Sequence, residues 1–578
     1  MRLEDYWGVG PKTAAQLRET IGEEAAIEAI DSANVRRLAD AGVASGRVIR
    51  ILRRANAGAA IDLLATTDAR DVYDDILSLA SDYALTRHAA DRIRVLTPLS
   101  NRDAIEDRLD EVVAARDLWD GLDADERTAL VAAFDAYDEA NETERSAVET
   151  ALTLREMGLT GGPFDVLADV DAEDLREASE ALQYVTDDGV ADGADEELDR
   201  LRADLADARE LEHDAFGVLD RVREGGVYDL EDFKRAFVDH VVTETSLSAA
   251  TVRAATPDRA QDAADYVSTT LRALVADLES AVERREATVR AELRGAVDDA
   301  REDVDAAVAA VDDAAFTLSL ARFAAEYGLT RPSLDTDGLA VANARNLFVE
   351  GEVQPVTYAV GDHDLPSPDE PPSGDRVAIL TGANSGGKTT LLETLCSVVL
   401  LASMGLPVPA ERAEVGRFEA LVFHRRHASF NAGVLESTLK NIVPPLADDR
   451  RTLVLVDEFE AITEPGRAAD LLDGLVDLTV DRDALGVYVT HLAEDLAPRS
   501  DEVRVDGIFA RGLTPDLELE VDYQPRFGTL GKSTPEFIVS RLVADATDRT
   551  ERRGFESLAA AVGEEAVQRT LSDARWDA

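Results

Sequence analysis

The stretch 377–395, VAILTGANSGGKTTLLETL, constrains the fold of this chain more than any other. An apolar run from Val377 to Leu380 leads into a glycine-rich turn, and a second apolar run starts at Leu391. Residues 382–389 fit G-x-x-x-x-G-K-[ST], with a buried strand expected before the turn and a helix after it. In such a turn glycines let successive N–H groups wrap phosphates at a helix N-terminus. The predicted phosphate-binding residues are therefore Gly382, Ala383, Asn384, Ser385, Gly386, Gly387, Lys388, Thr389 and Thr390. Lys388 offers a point charge to β and γ oxygens, and the Thr389 hydroxyl is a Mg²⁺ ligand.

Downstream, RRTLVLVDEFEA supplies a second buried strand ending in Asp457 and Glu458. A carboxylate at that position suits Mg²⁺, so Asp457 joins Thr389 as a metal candidate. Glu458 is then placed to orient and deprotonate the attacking water, which favours hydrolysis over transfer to another substrate. A third strand, GVYVTHL, ends at Thr490 and His491, and His491 is either a sensor of the γ-phosphate or a surface histidine. His424 and His427 have no flanking carboxylate or cysteine, and are expected at the surface or an interface.

The rest of the chain divides by composition. Its 578 residues exceed one ordinary domain, and 45% are hydrophobic, enough for real cores. Residues 331–578 read as one α/β domain with helical material at its C-terminal end. Residues 59–330 read as helical lever or clamp arms, with 280–316 uninterrupted except at Gly295. Residues 1–58 are close to neutral in a chain of net charge −57. There, WGVGPKTAAQL places Gly8, Val9 and Gly10 before a helix that carries Lys12. This resembles the helix-hairpin-helix motif, in which a glycine hairpin lets backbone N–H groups approach DNA phosphates. LADAGVASGRVIRIL looks like a second copy; the alternative is a small helical domain whose glycines only cap helices.

The charge excess is spread along the chain, and the basic side is nearly all arginine. That is expected of a halophilic protein, since in multimolar salt the Debye length shrinks to about 3 Å and self-repulsion is tolerable. Acidity therefore does not argue against nucleic acid. One cysteine, Cys396, excludes disulfides and a cysteine-based zinc site. With no apolar signal core at the N-terminus and no apolar run long enough to span a bilayer, a cytoplasmic protein with no membrane partner is expected.

The glycine turn, the paired Asp-Glu and the strand-terminal Thr-His, in this order, resemble the ABC-type ATPase domain of the MutS family of DNA mismatch-repair proteins. FAAEYGLTRPSL with ANARNLFV resembles that family's join between lever helices and ATPase domain. FGTLGKSTPEFIVSRL resembles its C-terminal segment that pairs two ATPase domains. The resemblance implies ATP at 382–390, Mg²⁺ at Thr389 and Asp457, water activation by Glu458, γ-phosphate sensing by His491, and a homodimer. It also implies a signature segment from the partner subunit. SFNAGVLESTLKNIV is the corresponding stretch, with Gly433 and Ser437 assigned although its serine-threonine pair departs from the family spacing.

Mismatch-recognising members use a phenylalanine from an N-terminal Phe-x-Glu motif, whereas this chain has no phenylalanine before Phe134. The closer resemblance is to the family's second group, which lacks that domain and binds DNA with little sequence preference. The expectation is a homodimeric, ATP-gated clamp on double-stranded or branched DNA, acting in repair or recombination, with no nuclease domain. The alternatives are a nucleotide-switched scaffold on ribosomes or branched DNA, and a chromosome-maintenance-type ATPase. A transporter ATPase is disfavoured because LSGGQ is absent.

Overall fold

Val377 to Leu380, expected as a buried strand, lie in the interior of a six-stranded sheet in the computed structural model of the chain. Residues 2–567 are described, apart from 56–62, 160, 187–188, 226–228, 352, 367–370, 383–386, 427–431, 449, 459–464, 497–499, 514–518, 532–534, 547 and 563–566. The chain forms two compact units, Met1–Asp135 with Asp312–Ala578, and Ala136–Val311. The segments expected at 1–58 and 331–578 thus share one unit.

That unit begins with α1 (Pro11–Thr20), α2 (Glu23–Asp31), α3 (Val35–Asp40) and α4 (Ser45–Ala55) around Leu17, Ile30, Leu38, Val48 and Leu52. Gly8 (φ 87°) turns the chain before α1, and Gly42 (φ 79°) turns it before α4, both in the left-handed region that favours glycine. The element before the first turn is only a 3₁₀ turn, Leu3–Asp5, where a helix was expected. The two turns lock onto each other's helices. A Cβ on Gly8 would come within 3.3 Å of Ile51 of α4, while Gln16 of α1 donates to the Ala41 carbonyl beside Gly42 at 2.9 Å. Next come α5 (Thr67–Ser81), α6 (Arg87–Arg94) and α7 (Arg102–Gly121), begun by side-chain caps from Thr66, Thr86 and Asn101.

The chain leaves this unit through α8 (Ala124–Glu139). The second unit contains α9 (Glu144–Glu156), α10 (Asp165–Asp169), α11 (Ala172–Tyr184), a short hairpin of β1 (Val185–Thr186) and β2 (Gly189–Val190), α12 (Glu196–His213), α13 (Ala215–Glu224), α14 (Leu230–Glu244), α15 (Ala249–Ala254) and α16 (Ala263–Asp299). At 37 residues α16 is an arm of about 55 Å, and α12 packs along it. Phe237 meets Tyr266 edge-on at 5.7 Å in the core beside it.

The expected continuous helix over 280–316 breaks at Ala300 (φ −95°, ψ 11°), and Gly295 lies inside α16. A fresh helix, α17 (Arg301–Glu326), follows at once with Glu302 and Asp303 in its first turn, where carboxylates suit the helix dipole.

The chain returns through α17 to three antiparallel strands in the order β4–β3–β6, with β3 at Leu339–Ala344, β4 at Val356–Val360 and β6 at Arg412–Val415. The stretch NLFVEGEVQPVTYAV, whose apolar residues alternate as in a strand, is a strand only at its end. Its first residues leave the sheet because the Asn346 amide bonds to α18 (Lys388–Ser403), reaching the Thr390 carbonyl at 3.3 Å and Glu393 at 3.1 Å.

The larger sheet contains β5 (Val377–Gly382), β7 (Ala420–His424), β8 (Thr452–Asp457), β9 (Leu485–Val489), β10 (Val503–Leu513) and β11 (Leu519–Arg526), with α19 (Ala432–Ala447) and α20 (Pro465–Asp481) in the connections. Its order is β11–β10–β5–β9–β8–β7, parallel except for β11. Both faces are covered, which is why these strands read as unbroken apolar runs. Ala378 and Leu380 face α18 and α5, while Val377 and Ile379 face α19 and α20.

The open edge at β7 is covered from the N-terminal side. Leu64 bridges Leu421 in parallel, and the Thr66 hydroxyl donates to the Phe423 carbonyl at 2.6 Å while accepting its N–H at 3.1 Å. The helices α21 (Pro535–Asp545) and α22 (Arg549–Val562) pack together through Val539, Val543 and Ala559. Among the described residues no helix is long and apolar enough to cross a membrane.

Candidate active site

The C-terminal ends of β5, β8 and β9 lie side by side, since Leu380 pairs with Val489 and Asp457 also pairs with Val489. Side chains at these ends converge, as is usual for ligand sites on parallel sheets. Gly382 closes β5 with φ 133°, and a Cβ there would stand 2.2 Å from the Ile508 carbonyl oxygen of β10. Only glycine fits. Ala383, Asn384, Ser385 and Gly386 lie outside the described residues. Gly387 (φ 70°) then caps α18, with the Tyr523 ring lying against it where a Cβ would be 2.7 Å away.

Lys388 begins α18, is 5% exposed, and donates from Nζ to the Gly382 carbonyl at 3.0 Å. Its ammonium is thereby held beneath the turn. The Thr389 hydroxyl bonds to the Asp457 carboxylate, which is 2% exposed. Burial pushes the Asp457 carboxyl above its ordinary range, against the lowering effect of that hydroxyl. A hydroxyl and a carboxylate side by side form an oxygen donor pair that fits a hard divalent cation such as Mg²⁺. Among the described residues no cluster of three or more His, Cys, Asp or Glu offers another metal site.

Glu458 follows the last residue of β8 at φ 42°, a left-handed conformation that a glutamate adopts only when its surroundings fix it. Its N–H donates to the Val489 carbonyl at 3.0 Å, so the turn is tied to β9. Its carboxylate is gripped from two sides, by His491 Nε2 at 3.0 Å and by Arg426 Nη1 at 2.7 Å. The His491 hydrogen bond holds the Glu458 carboxyl below its usual value despite partial burial. The preceding Thr490 is fully buried, and its N–H donates to the Leu380 carbonyl at 3.1 Å. A cleft of about 420 Å³ opens over these groups, lined by Gly387, Lys388, Thr389, Arg426, Glu458 and Tyr523 among others.

Sequence reasoning missed several residues that build this site. Arg426 lies in FHRRHASF, where only the histidines drew attention. Arg425 pairs with Glu393 of α18, and Glu393 also accepts from Asn346, so a half-buried polar network fixes the back of the helix. His424, expected at a surface or interface, is 8% exposed, with Nδ1 3.6 Å from Asp68. The fold buries it because β7 is sealed by the N-terminal segment. His427 lies outside the described residues.

The segment FGTLG also closes on the site. Gly531 donates to the Thr381 hydroxyl at 2.7 Å, and a Cβ on it would stand 2.9 Å from the Cα atoms of both Gly382 and Gly507. Three glycines thus meet at the base of the turn. Gly433 lies in α19, and Ser437 is exposed on the same helix. At the other end of the unit, Gly8, Gly10 and Lys12 are exposed while Val9 is buried, so the first glycine turn presents its backbone outward.

No family model matches the chain. Individual proteins do. The DNA-binding protein MutS2 of Pyrococcus furiosus is 43% identical over 230 residues, covering 39% of this chain and 40% of that protein. Endonuclease MutS2 of Clostridium botulinum strain Loch Maree is 28% identical over 235 residues, 39% of this chain and 28% of the relative. The DNA mismatch repair protein MutS of Natronomonas pharaonis is 30% identical over 247 residues, 39% and 27% of the two chains. The chain thus spans less than half the length of each of these relatives. These likenesses, each over about two fifths of this chain, agree with the motif order at the sheet ends: over that share the chain is similar to proteins of the MutS family, MutS2 proteins among them.

Proposed function

We propose that the chain is a DNA-binding ATPase in which the cleft at the end of β5, β8 and β9 hydrolyses ATP and the N-terminal helices contact duplex backbone. What carries the reading is the convergence of three separate stretches of sequence on one cleft, which Lys388, Thr389 and Glu458 line while Asp457 bonds to Thr389 and His491 to Glu458 from behind. Each has a task that its position suits. Lys388 exchanges its bond to the Gly382 carbonyl for the β and γ oxygens of the nucleotide. Thr389 and Asp457 would hold Mg²⁺, which would neutralise charge developing on the phosphates.

Glu458, kept ionised by His491, accepts a proton from the water that attacks the γ-phosphorus, and the bond to the bridging oxygen breaks to release ADP. His491 and Arg426 are then positioned to exchange contacts between Glu458 and the γ-phosphate. Tyr523, partly exposed against Gly387, offers a ring face towards the base.

The N-terminal turns supply the DNA half of the reading. Exposed Gly8 and Gly10, with Lys12 one residue into α1, form a backbone donor surface that needs no particular base sequence. The Pyrococcus furiosus relative is named a DNA-binding protein, which supports the same assignment. Exposed Ile538 (51%) and Leu558 (51%) on α21 and α22 are the apolar surface through which two copies would pair as a homodimer. ATP would then act by binding open and closed arrangements of the helical arms with different affinity.

The test is Lys388→Ala in the full-length chain at multimolar KCl. Turnover of Mg-ATP should fall by at least 100-fold, on the order expected for loss of a phosphate-bound charge, while duplex binding persists. Undiminished turnover in that variant would remove ATP hydrolysis from this cleft. Binding to ribosomal particles in preference to every DNA would replace the DNA half of the reading.

A further inference from the structure

A concave surface of about 610 Å³ lies between α4 and α5, on the flank of the N-terminal helices. Trp7 from the first glycine turn and Gly46 from the first turn of α4 both line it. So do Arg50, Arg53 and Arg54 of α4 and Arg70 of α5, around an apolar wall that includes Ile49 and Tyr73. Between Asp40 and Asp62 the sequence has four arginines and no acid, in a chain with 117 acidic and 60 basic residues. Among the described residues the one carboxylate lining the concavity, Asp74, is paired with Arg53 at 2.9 Å. Arg50 and Arg54 are exposed, and Arg54 lies 5.1 Å from the centre of the Trp7 ring.

We infer that this concavity binds a single strand of DNA where it leaves a duplex, with Trp7 stacking on an unpaired base and Arg50 and Arg54 on the flanking phosphates. The inference rests on the DNA-binding reading above and specifies which DNA is preferred. Duplex DNA presents phosphates outward and keeps its base faces stacked, so it could use the arginines but not the ring. An unpaired strand uses both, which is the combination that single-strand sites employ. Trp7 is 57% exposed, an unusual setting for so large an apolar side chain, with the Arg54 guanidinium lying over its ring.

The position of Trp7 adds continuity. It immediately precedes Gly8, so a duplex seated on the Gly8–Gly10 backbone has its end at the mouth of the concavity. Salt points the same way. Phosphate contacts weaken steeply as ionic strength rises, whereas stacking is largely insensitive to it. A site working against a net charge of −57 needs both a local basic strip and a contact that survives screening.

Fluorescence anisotropy on the full-length chain in multimolar KCl tests this. The probes are a blunt duplex, the same duplex with a single-stranded thymine tail, a free thymine oligonucleotide, and polyglutamate as an unlabelled competitor. The tail should strengthen binding by about fivefold or more, the weak end of what one base-aromatic stack contributes. That gain should vanish in Trp7→Ala and in the double variant Arg50→Gln/Arg54→Gln, and return in Trp7→Phe. Thermal unfolding of each variant, expected to match the parent because these side chains are exposed, separates lost contact from lost fold.

Equal affinity for tailed and blunt duplex, or a tail gain that persists in Trp7→Ala, overturns the inference and leaves duplex binding intact. Polyglutamate displacing the tailed duplex as well as the thymine oligonucleotide does would also overturn it, in favour of an acidic protein partner. Binding of the free strand without the blunt duplex would keep the concavity and remove the hairpin contact. Failure to bind any DNA would sink both.

Discussion

The cleft at the sheet ends and the concavity beside α4 are both assigned to phosphates, yet they are built by opposite means. In the cleft, Lys388 and Asp457 are almost wholly buried, and each is fixed by a bond to a neighbour. Beside α4, the cations are exposed and one aromatic ring supplies the apolar contact. Burial raises the strength of every electrostatic contact and fixes its direction, which chemistry requires. Exposure makes each contact weak and additive, which suits a long polymer held at many points. The comparison predicts that single substitutions in the cleft act by orders of magnitude, and those beside α4 by small factors.

Glu458→Gln is the sharpest way to press the first half. It keeps the hydrogen-bonding shape and removes the base, so turnover should drop by about 10²–10⁴-fold while nucleotide binding is retained. Single-turnover measurement of bound Mg-ATP distinguishes this from weakened binding. Rapid release of ADP from the variant would show that another group activates the water.

Gly531→Ala follows in size. Its Cβ would meet backbone at 2.9–3.0 Å on three sides, at Gly382, Gly507 and Thr381, so the base of the glycine turn must shift. Loss of about 1–3 kcal/mol is expected, read as a lowered midpoint in thermal or denaturant unfolding together with weaker nucleotide binding. Unchanged stability would mean that the three-glycine contact is looser than described.

An effect of comparable size, confined to acid pH, distinguishes the two regions. The N-terminal helices are tied to α17 by the Arg36–Asp312 pair at 2.5 Å, and His88 lies beside it with Nε2 3.9 Å from the same carboxylate. Arg92 and Asp91 also face the ring electrostatically. Burial drives the His88 pKa down to about 4, outweighing the raising effect of Asp312. The unfolded chain, with a histidine near 6.5, therefore binds more protons between these values. Stability is fully present above about 6.5 and declines as pH falls towards 4, by up to on the order of 3 kcal/mol. His88→Leu should flatten that limb of the unfolding profile. A profile identical to the parent would assign the acid sensitivity elsewhere.

Much of the cleft was legible because the phosphate-binding turn proposed for it imposes local sequence. Gly382, Gly387, Lys388 and Thr389 must be adjacent to wrap a phosphate, and Asp457 and Glu458 must end a strand. Their meeting followed from parallel strands lying in register. What could not be read were contacts made across long separations. Arg426 reaches Glu458 because β7 and β8 are neighbours, which no local pattern announces. Gly531 approaches Gly382 only once the sheet exists. The burial of His424 depends on Leu64 and Thr66, more than 350 residues away in sequence. In the helical unit, Ala300 interrupts the arm where periodicity offers no signal, since alanine is the best helix former and Gly295 was the visible weak point.

The central claim is that the cleft and the N-terminal surface belong to one DNA-responsive ATPase. The direct measurement is steady-state Mg-ATP turnover by the full-length chain in multimolar KCl, with blunt duplex, tailed duplex or no DNA, in the parent and in Trp7→Ala carrying Lys12→Ala. The account predicts a turnover rate that DNA changes, most with the tailed duplex, and a response that is lost in the double variant. A parent rate indifferent to every DNA would contradict it.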